Sequence, residues 1–183
     1  MKRKHWVIGS LVGAIIVFAW QGLSWMAIGI HDKQMKYTPA QDEIMDLLNS
    51  KITEEGLYSM PSAATKKEME EKAKEMEGKP WASIIYHKEY HMDIAMRTTR
   101  ALLVDLFLVV SLIYLFTRGG AVPIPRRVFS GSVAWGLAFF IAGQYMGHVW
   151  FDLPWHMIMG DLIDNVVSWS LCGIWLGWWL NRK

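Results

Sequence analysis

Apolar side chains fill residues 6–30 almost without a break, interrupted only by the weakly polar Ser10, Gln21 and Ser24. As a helix, such a run is long enough to cross the roughly 30 Å hydrocarbon core of a bilayer. Three more runs of this kind follow, at about 101–116, 128–150 and 161–180. The second has a short apolar core, which residues 92–99 can prolong as a helix standing above the membrane. The pattern predicts an all-α membrane protein: a four-transmembrane-helix bundle with a small α+β extracytoplasmic domain inserted between helices 1 and 2. The expected division is 1–30 for the first helix, 31–96 for the inserted domain and 97–183 for helices 2–4.

Inside the insertion the periodicity changes. Thr38, Pro39 and Gln41 have the order of a helix start: a capping hydroxyl, proline at the first helical position, and a glutamine placed to close the box. Ile44, Met45, Leu47 and Leu48 then predict a short amphipathic helix. Residues 56–61 (GLYSMP) read as a brief strand ending at proline. Thr65 and Glu68 form a second capping box, opening a highly charged helix that runs to Glu77 and stops at Gly78. Its apolar members Met69, Ala73 and Met76 keep helical spacing and predict one thin buried stripe on an otherwise solvated face. Residues 81–86 (WASIIY) read as a second strand. A domain this small buries little core alone and is expected to lean on the membrane helices.

Charge sets the expected orientation. Lys2, Arg3 and Lys4 precede the first apolar run, Arg118, Arg126 and Arg127 lie between the second and third, and Arg182 and Lys183 follow the fourth. The connection 150–160 contains neither Lys nor Arg. By the positive-inside rule both termini and the 118–127 connection are cytoplasmic, and 31–96 lies outside. In a bacterial inner membrane that is the periplasmic side. Trp6, Trp178 and Trp179 then fall at the inner interface, and Trp25, Trp150 and Trp155 at the outer. Gly119 and Gly120 with Pro123 and Pro125 predict a tight inner turn. The first run exceeds the about 7–15 residues of a signal-peptide core, so it is expected to remain as an anchor. Gly9/Gly13, Gly143/Gly147 and Gly173/Gly177 are GxxxG pairs, which predict close helix packing within the bundle. The alternative is that they form docking faces for a second copy or a larger membrane complex.

Composition narrows the chemistry. Of 183 residues 52% are hydrophobic, with 11 tryptophans and 12 methionines, a mixture suited to lipid. A formal net charge of +2 points to neither nucleic acid nor an acidic tail. Cys172 is the single cysteine, which excludes an internal disulfide, a CxxC pair and a CxxCH haem attachment. No P-loop, GxSxG elbow or HExxH occurs. No catalytic or cofactor-binding residue is therefore assigned.

Two groups of residues stand out. His31, His87, His91, His148 and His156 all fall on the expected outer side, with Asp152 four residues before His156. His87 and His91 share a face if their stretch is helical. Imidazoles and a carboxylate gathered at the outer helix ends could bind a metal ion or haem, and the prediction is that they cluster there. The other group lies at bilayer depth: Asp105, Asp161, Asp164 and Asn165, with Gln144 nearby in the third helix. An acid there costs about 2.5–3.5 kcal/mol on insertion scales, so it is expected to face a partner or water. Arg97 and Arg100 are the available cations, and Gln21 and Ser24 further polar partners. The expectation is a polar cluster in which Arg100 pairs with Asp164 or Asp161. The alternative is a small polar cavity for a proton, an ion or a lipid headgroup. Four helices without an internal repeat argue against an autonomous secondary transporter.

The segment Ser24-Trp25-Met26, followed by His31, resembles an uncharacterised family of small bacterial inner-membrane proteins. These share a Trp-rich end of the first helix, an acidic amphipathic helix and a GxYxxP-like element, here residues 56–61. Their last crossing is Trp-rich with an Asn/Asp pair near its start, matched by Asp164 and Asn165, and its usual basic ending is matched by Arg182. The resemblance implies four crossings and carries no activity. The expected function is that of a non-enzymatic integral membrane protein, either an accessory or stabilising subunit or a binder of lipid or partner. A metal- or haem-dependent membrane enzyme or redox component using the outer histidines is one alternative. An ion or proton transport component built on the three aspartates is another.

Overall fold

Residues 3–118 and 124–182 are described by the structure, a computed structural model. The turn expected from Gly119, Gly120 and Pro123 lies outside the described residues. In chain order come α1 (Arg3–Leu23), α2 (Gln41–Lys51), β1 (Gly56–Met60), α3 (Lys66–Met76) and β2 (Ala82–Tyr86). Then follow α4 (Ile94–Thr117), α5 (Pro125–Phe140), α6 (Met146–Phe151) and α7 (Trp155–Trp179). Two π-helical turns, Ser24–Ile28 and Ile141–Tyr145, widen the chain after α1 and between α5 and α6. Among the described residues four stretches are long and apolar enough to cross a membrane: Lys4–Ile28, Ile94–Thr117, Pro125–Phe151 and Trp155–Trp179. The chain divides into two compact units, Met1–Lys36 with Asp93–Lys183, and Tyr37–Met92.

In the first unit α1 packs on α4 and α7, and α7 packs along α5, whereas α4 and α5 meet only lightly. The spatial order is thus α4–α1–α7–α5, with a seam between its two ends. Ala14, Val17, Val109, Leu112, Ile113, Cys172 and Leu176 form the buried apolar core. Small residues allow this approach. A Cβ on Gly13 would lie 2.8 Å from Val109 Cγ1, and one on Gly173 2.8 Å from Ser132 Cβ. Gly9 and Gly177 face Trp179 and Pro125 in the same way. Two of the three GxxxG pairs are therefore occupied inside this unit. In the third, Gly147 meets Leu153 while Gly143 has nothing within 4 Å. Tryptophans tie the basic end together: Trp179 Nε1 donates to the His5 carbonyl (2.8 Å) and Trp175 Nε1 to that of Gly9 (3.2 Å).

Helix limits differ from the sequence expectation where caps compete with hydropathy. Asp93 accepts from Met96 N at 2.9 Å and starts α4 there. His87 and His91 precede that cap in non-helical chain, so the shared helical face expected of them does not exist. Pro125 opens α5 at its first turn. The fourth span begins at Trp155, which puts His156 in a helix and leaves Asp152 in the turn before it, with φ 49°. Gly29, at φ 70°, ends the π-helical turn in a left-handed conformation and sends residues 30–36 back toward α7. Those residues belong to the membrane-spanning unit, not to the inserted domain.

The second unit holds an antiparallel pair, with Gly56 opposite Tyr86 and Met60 opposite Ala82. Tyr86 is its buried anchor, and its hydroxyl donates to Asn49 Oδ1 of α2 at 3.0 Å. Thr65 caps α3 by accepting from Glu68 N, Gly78 follows the helix at φ 76°, and Met69 and Met76 are its half-buried positions. The α2 start departs from the expected box: Thr38 closes a turn onto Ala40 N at 3.4 Å, and the helix begins two residues after Pro39. Glu55 closes the open end of the sheet, accepting from Lys88 N at 3.0 Å with His87 Nδ1 at 3.7 Å. That backbone bond, then His87 and Lys88, hold its carboxyl below the ordinary value. A lowered folded pKa stabilises above the unfolded pKa, and the contribution is lost as pH falls through the folded one. NMR titration of Glu55 is expected to show a midpoint below that of a free glutamate, and Lys88 amide protection declining with it. A midpoint at or above the free value would refute the contact.

Candidate functional site

The site grows from the far end of α1. Trp20 and Ser24 lie one turn apart on one face, and the fold-back after Gly29 lays His31 over them. His31 Nε2 is 2.8 Å from Asp164 Oδ2 and 3.0 Å from Ser24 Oγ. A carboxylate only accepts, so the Nε2 proton is directed to Asp164. The other Asp164 oxygen accepts from Trp20 Nε1 at 2.9 Å. The Trp25 ring stacks on the imidazole at 4.0 Å and 5°. Gly160 makes room on α7, where a Cβ would lie 2.7 Å from His31 Nδ1. Gln34 Nε2 fastens the same segment by donating to the Met157 carbonyl.

A serine, a histidine and an aspartate thus meet in one place, yet the geometry is not that of a nucleophilic triad. Both partners sit on the same ring nitrogen, whereas proton relay needs one on each. Ser24 is moreover fully buried, at 0% exposure. The arrangement is a structural lock between α1 and α7.

Beside this lock lies a cavity of about 970 Å³. Arg97, Asp105, Gln144, Asp161, Asp164 and Asn165 all line it, so six of the seven intramembrane polar residues picked out by sequence come together. Arg100 does not. It is exposed, and the expected pairing of Arg100 with Asp164 or Asp161 is replaced by His31 and Trp20 on Asp164. The reason is the fold-back at Gly29, which brings a closer donor. Asp105 is 4% exposed; its Oδ1 accepts weakly from Gln21 Nε2 (3.4 Å), and Oδ2 has no partner among the described residues. Asn165 is turned to its own helix, donating to the Asp161 carbonyl at 2.8 Å. Apolar walls come from Phe18, Leu108, Phe139 and Trp169. The cavity spans the seam, with Asp105 on α4 and Phe139 and Gln144 on the α5 side. Both π-helical turns border it, through Trp25 and Met26 and through Gln144.

The histidines have separate surroundings. His31 is buried in the lock. His148 Nδ1 donates to the Leu153 carbonyl (2.6 Å), its ring 4.4 Å from that of Trp155. His87 lies by Glu55 and His91 Nε2 is 2.8 Å from Glu89, both in the other unit. Asp152 and His156 are exposed. Among the described residues no three His, Cys, Asp or Glu side chains are disposed to hold a metal ion. The metal or haem expectation rests on the sequence alone.

Trp20, Trp25 and Gln34 were not among the expected site residues. The signal for Trp20 was its four-residue spacing from Ser24, which puts both on one helical face; His31 joins them only through the fold-back at Gly29. Comparison of the chain with protein-family models, curated proteins and solved structures found no match.

Proposed function

We propose that this chain is a non-enzymatic membrane protein that binds an amphiphile taken from the bilayer, in the cavity around Asp105. The carrying observation is Asp105 itself, a buried carboxyl with one oxygen unpartnered among the described residues, on the wall of a cavity that spans the α4–α5 seam. A polar group at that depth is retained where it meets a ligand or water. The lining holds three carboxyl side chains and one guanidinium, which favours a ligand head that is a hydrogen-bond donor or a cation, with its apolar body against Phe139 and Trp169. The positive-inside pattern of the short flanks supports a place for the cavity in the outer leaflet of a bacterial inner membrane. Binding is favoured over transport because the buried apolar core from Ala14 to Leu176 closes the other half of the unit.

Ala101 lines the cavity on α4, a helix that contributes no residue to the His31–Asp164 lock. Lipid extracted from protein purified in mild detergent is expected to be enriched in one amphiphile over the bulk membrane. In Ala101→Phe, which fills the space, the enrichment disappears while the protein stays folded. A wild-type lipid content equal to that of the bulk membrane contradicts the reading. A stoichiometric second membrane protein in the particle transfers it to an accessory subunit.

A further inference from the structure

We propose that a second site, the groove between α5 and α7 at the basic end, holds one anionic phospholipid. It is distinct from the cavity around Asp105 and encloses about 720 Å³. Gly173 and Gly177 leave the face of α7 toward α5 without side chains at two positions one turn apart, so the two helices close beneath a shallow trough. Phe129 and Ile174, 40% and 59% exposed, form apolar walls along it that match an acyl chain.

Charge selects the head. Arg126 and Arg182 line the trough, and among the described residues no carboxylate does. The Arg182 guanidinium carbon lies 3.6 Å over the Trp178 ring. Stacking uses the flat face of the guanidinium and leaves its in-plane N–H donors to fork a phosphate. Arg126 lies in the first turn of α5, where Ile124 supplies no side-chain cap, so the first-turn amides add positive partial charge beside it. Neither arginine is ion-paired among the described residues. Two cations next to a lipid-length apolar trough favour the phosphate of a lipid over free phosphate, and a half-exposed tryptophan at the mouth suits the headgroup level.

The test is native mass spectrometry of the full chain with phosphatidylglycerol or phosphatidylcholine of identical acyl chains. Phosphatidylglycerol adducts are expected to be retained at least about tenfold more strongly, since each basic residue contributes about 1 kcal/mol toward an anionic head. The Arg126→Gln/Arg182→Gln variant reduces that retention to the phosphatidylcholine level. Ile174→Trp, on an exposed wall, displaces the lipid without altering charge and serves if the double variant fails to fold. Equal retention of the two lipids by the wild type overturns the proposal, as does unchanged phosphatidylglycerol binding in either variant. Displacement by inorganic phosphate would mark a simple anion site, and a dimer sealed through the groove would mark a protein interface; either result also overturns it.

Discussion

Asp164→Ala is expected to lower the unfolding temperature by roughly 6–12 °C, equivalent to about 3 kcal/mol, the lower end of what breaking a buried pair costs. The carboxylate is the common acceptor for Trp20 Nε1 and His31 Nε2, and its loss leaves the buried His31 and the part-buried Trp20 without it. Asp164→Asn keeps the shape and one acceptor, so its loss is expected to be smaller, about 1–2 kcal/mol. Cys172 provides the measurement, because it is the single cysteine and is 0% exposed. A thiol-reactive fluorogenic dye therefore stays dark until the unit opens. If the alanine and wild-type proteins develop signal at the same temperature, the lock contributes no stability and its role must lie elsewhere.

Gly136→Ala is expected to destabilise by about 1–3 kcal/mol, the range for overpacking a tight contact. Its Cβ would lie 2.6 Å from the Asn165 carbonyl oxygen and 2.5 Å from Trp169 Cδ1. A side chain can rotate away, but the backbone oxygen of α7 cannot, so α5 and α7 must part. The sign is the diagnostic, since glycine to alanine inside an unobstructed helix normally gains about 0.5–1 kcal/mol. Gly143→Ala is the control: nothing lies within 4 Å of its Cβ. The same dye assay is expected to move the two variants in opposite directions. Movement in one direction for both would mean that α5 and α7 do not approach this closely.

Much of this molecule follows from one-dimensional pattern. Hydropathy located all four spans, because a lipid-crossing helix must hide its backbone and present apolar side chains along its whole length. The capping box at Thr65, the stop at Gly78 and both strands of the small sheet were legible as well, since each is decided by neighbours a few residues away. The candidate cavity was half legible. A buried acid is conspicuous in an apolar run, so Asp105, Asp161 and Asp164 announced themselves, but hydropathy does not say which donor each will meet.

That choice belonged to tertiary structure. Arg100 looked like the natural counter-charge, yet His31 reaches Asp164 because Gly29 adopts a left-handed turn and folds the chain back onto α7. The glycine pairs behaved likewise: spacing marked them as contact points, and only the packing order α4–α1–α7–α5 showed that Gly9/Gly13 and Gly173/Gly177 are consumed internally. The seam between α4 and α5, which turns scattered polar residues into a cavity, has no signature in any single helix. Local pattern determines which segments enter the membrane and which residues are costly there. Contacts between residues 133 positions apart, as His31 and Asp164 are, decide how those costs are met, because they depend on the path of the whole chain.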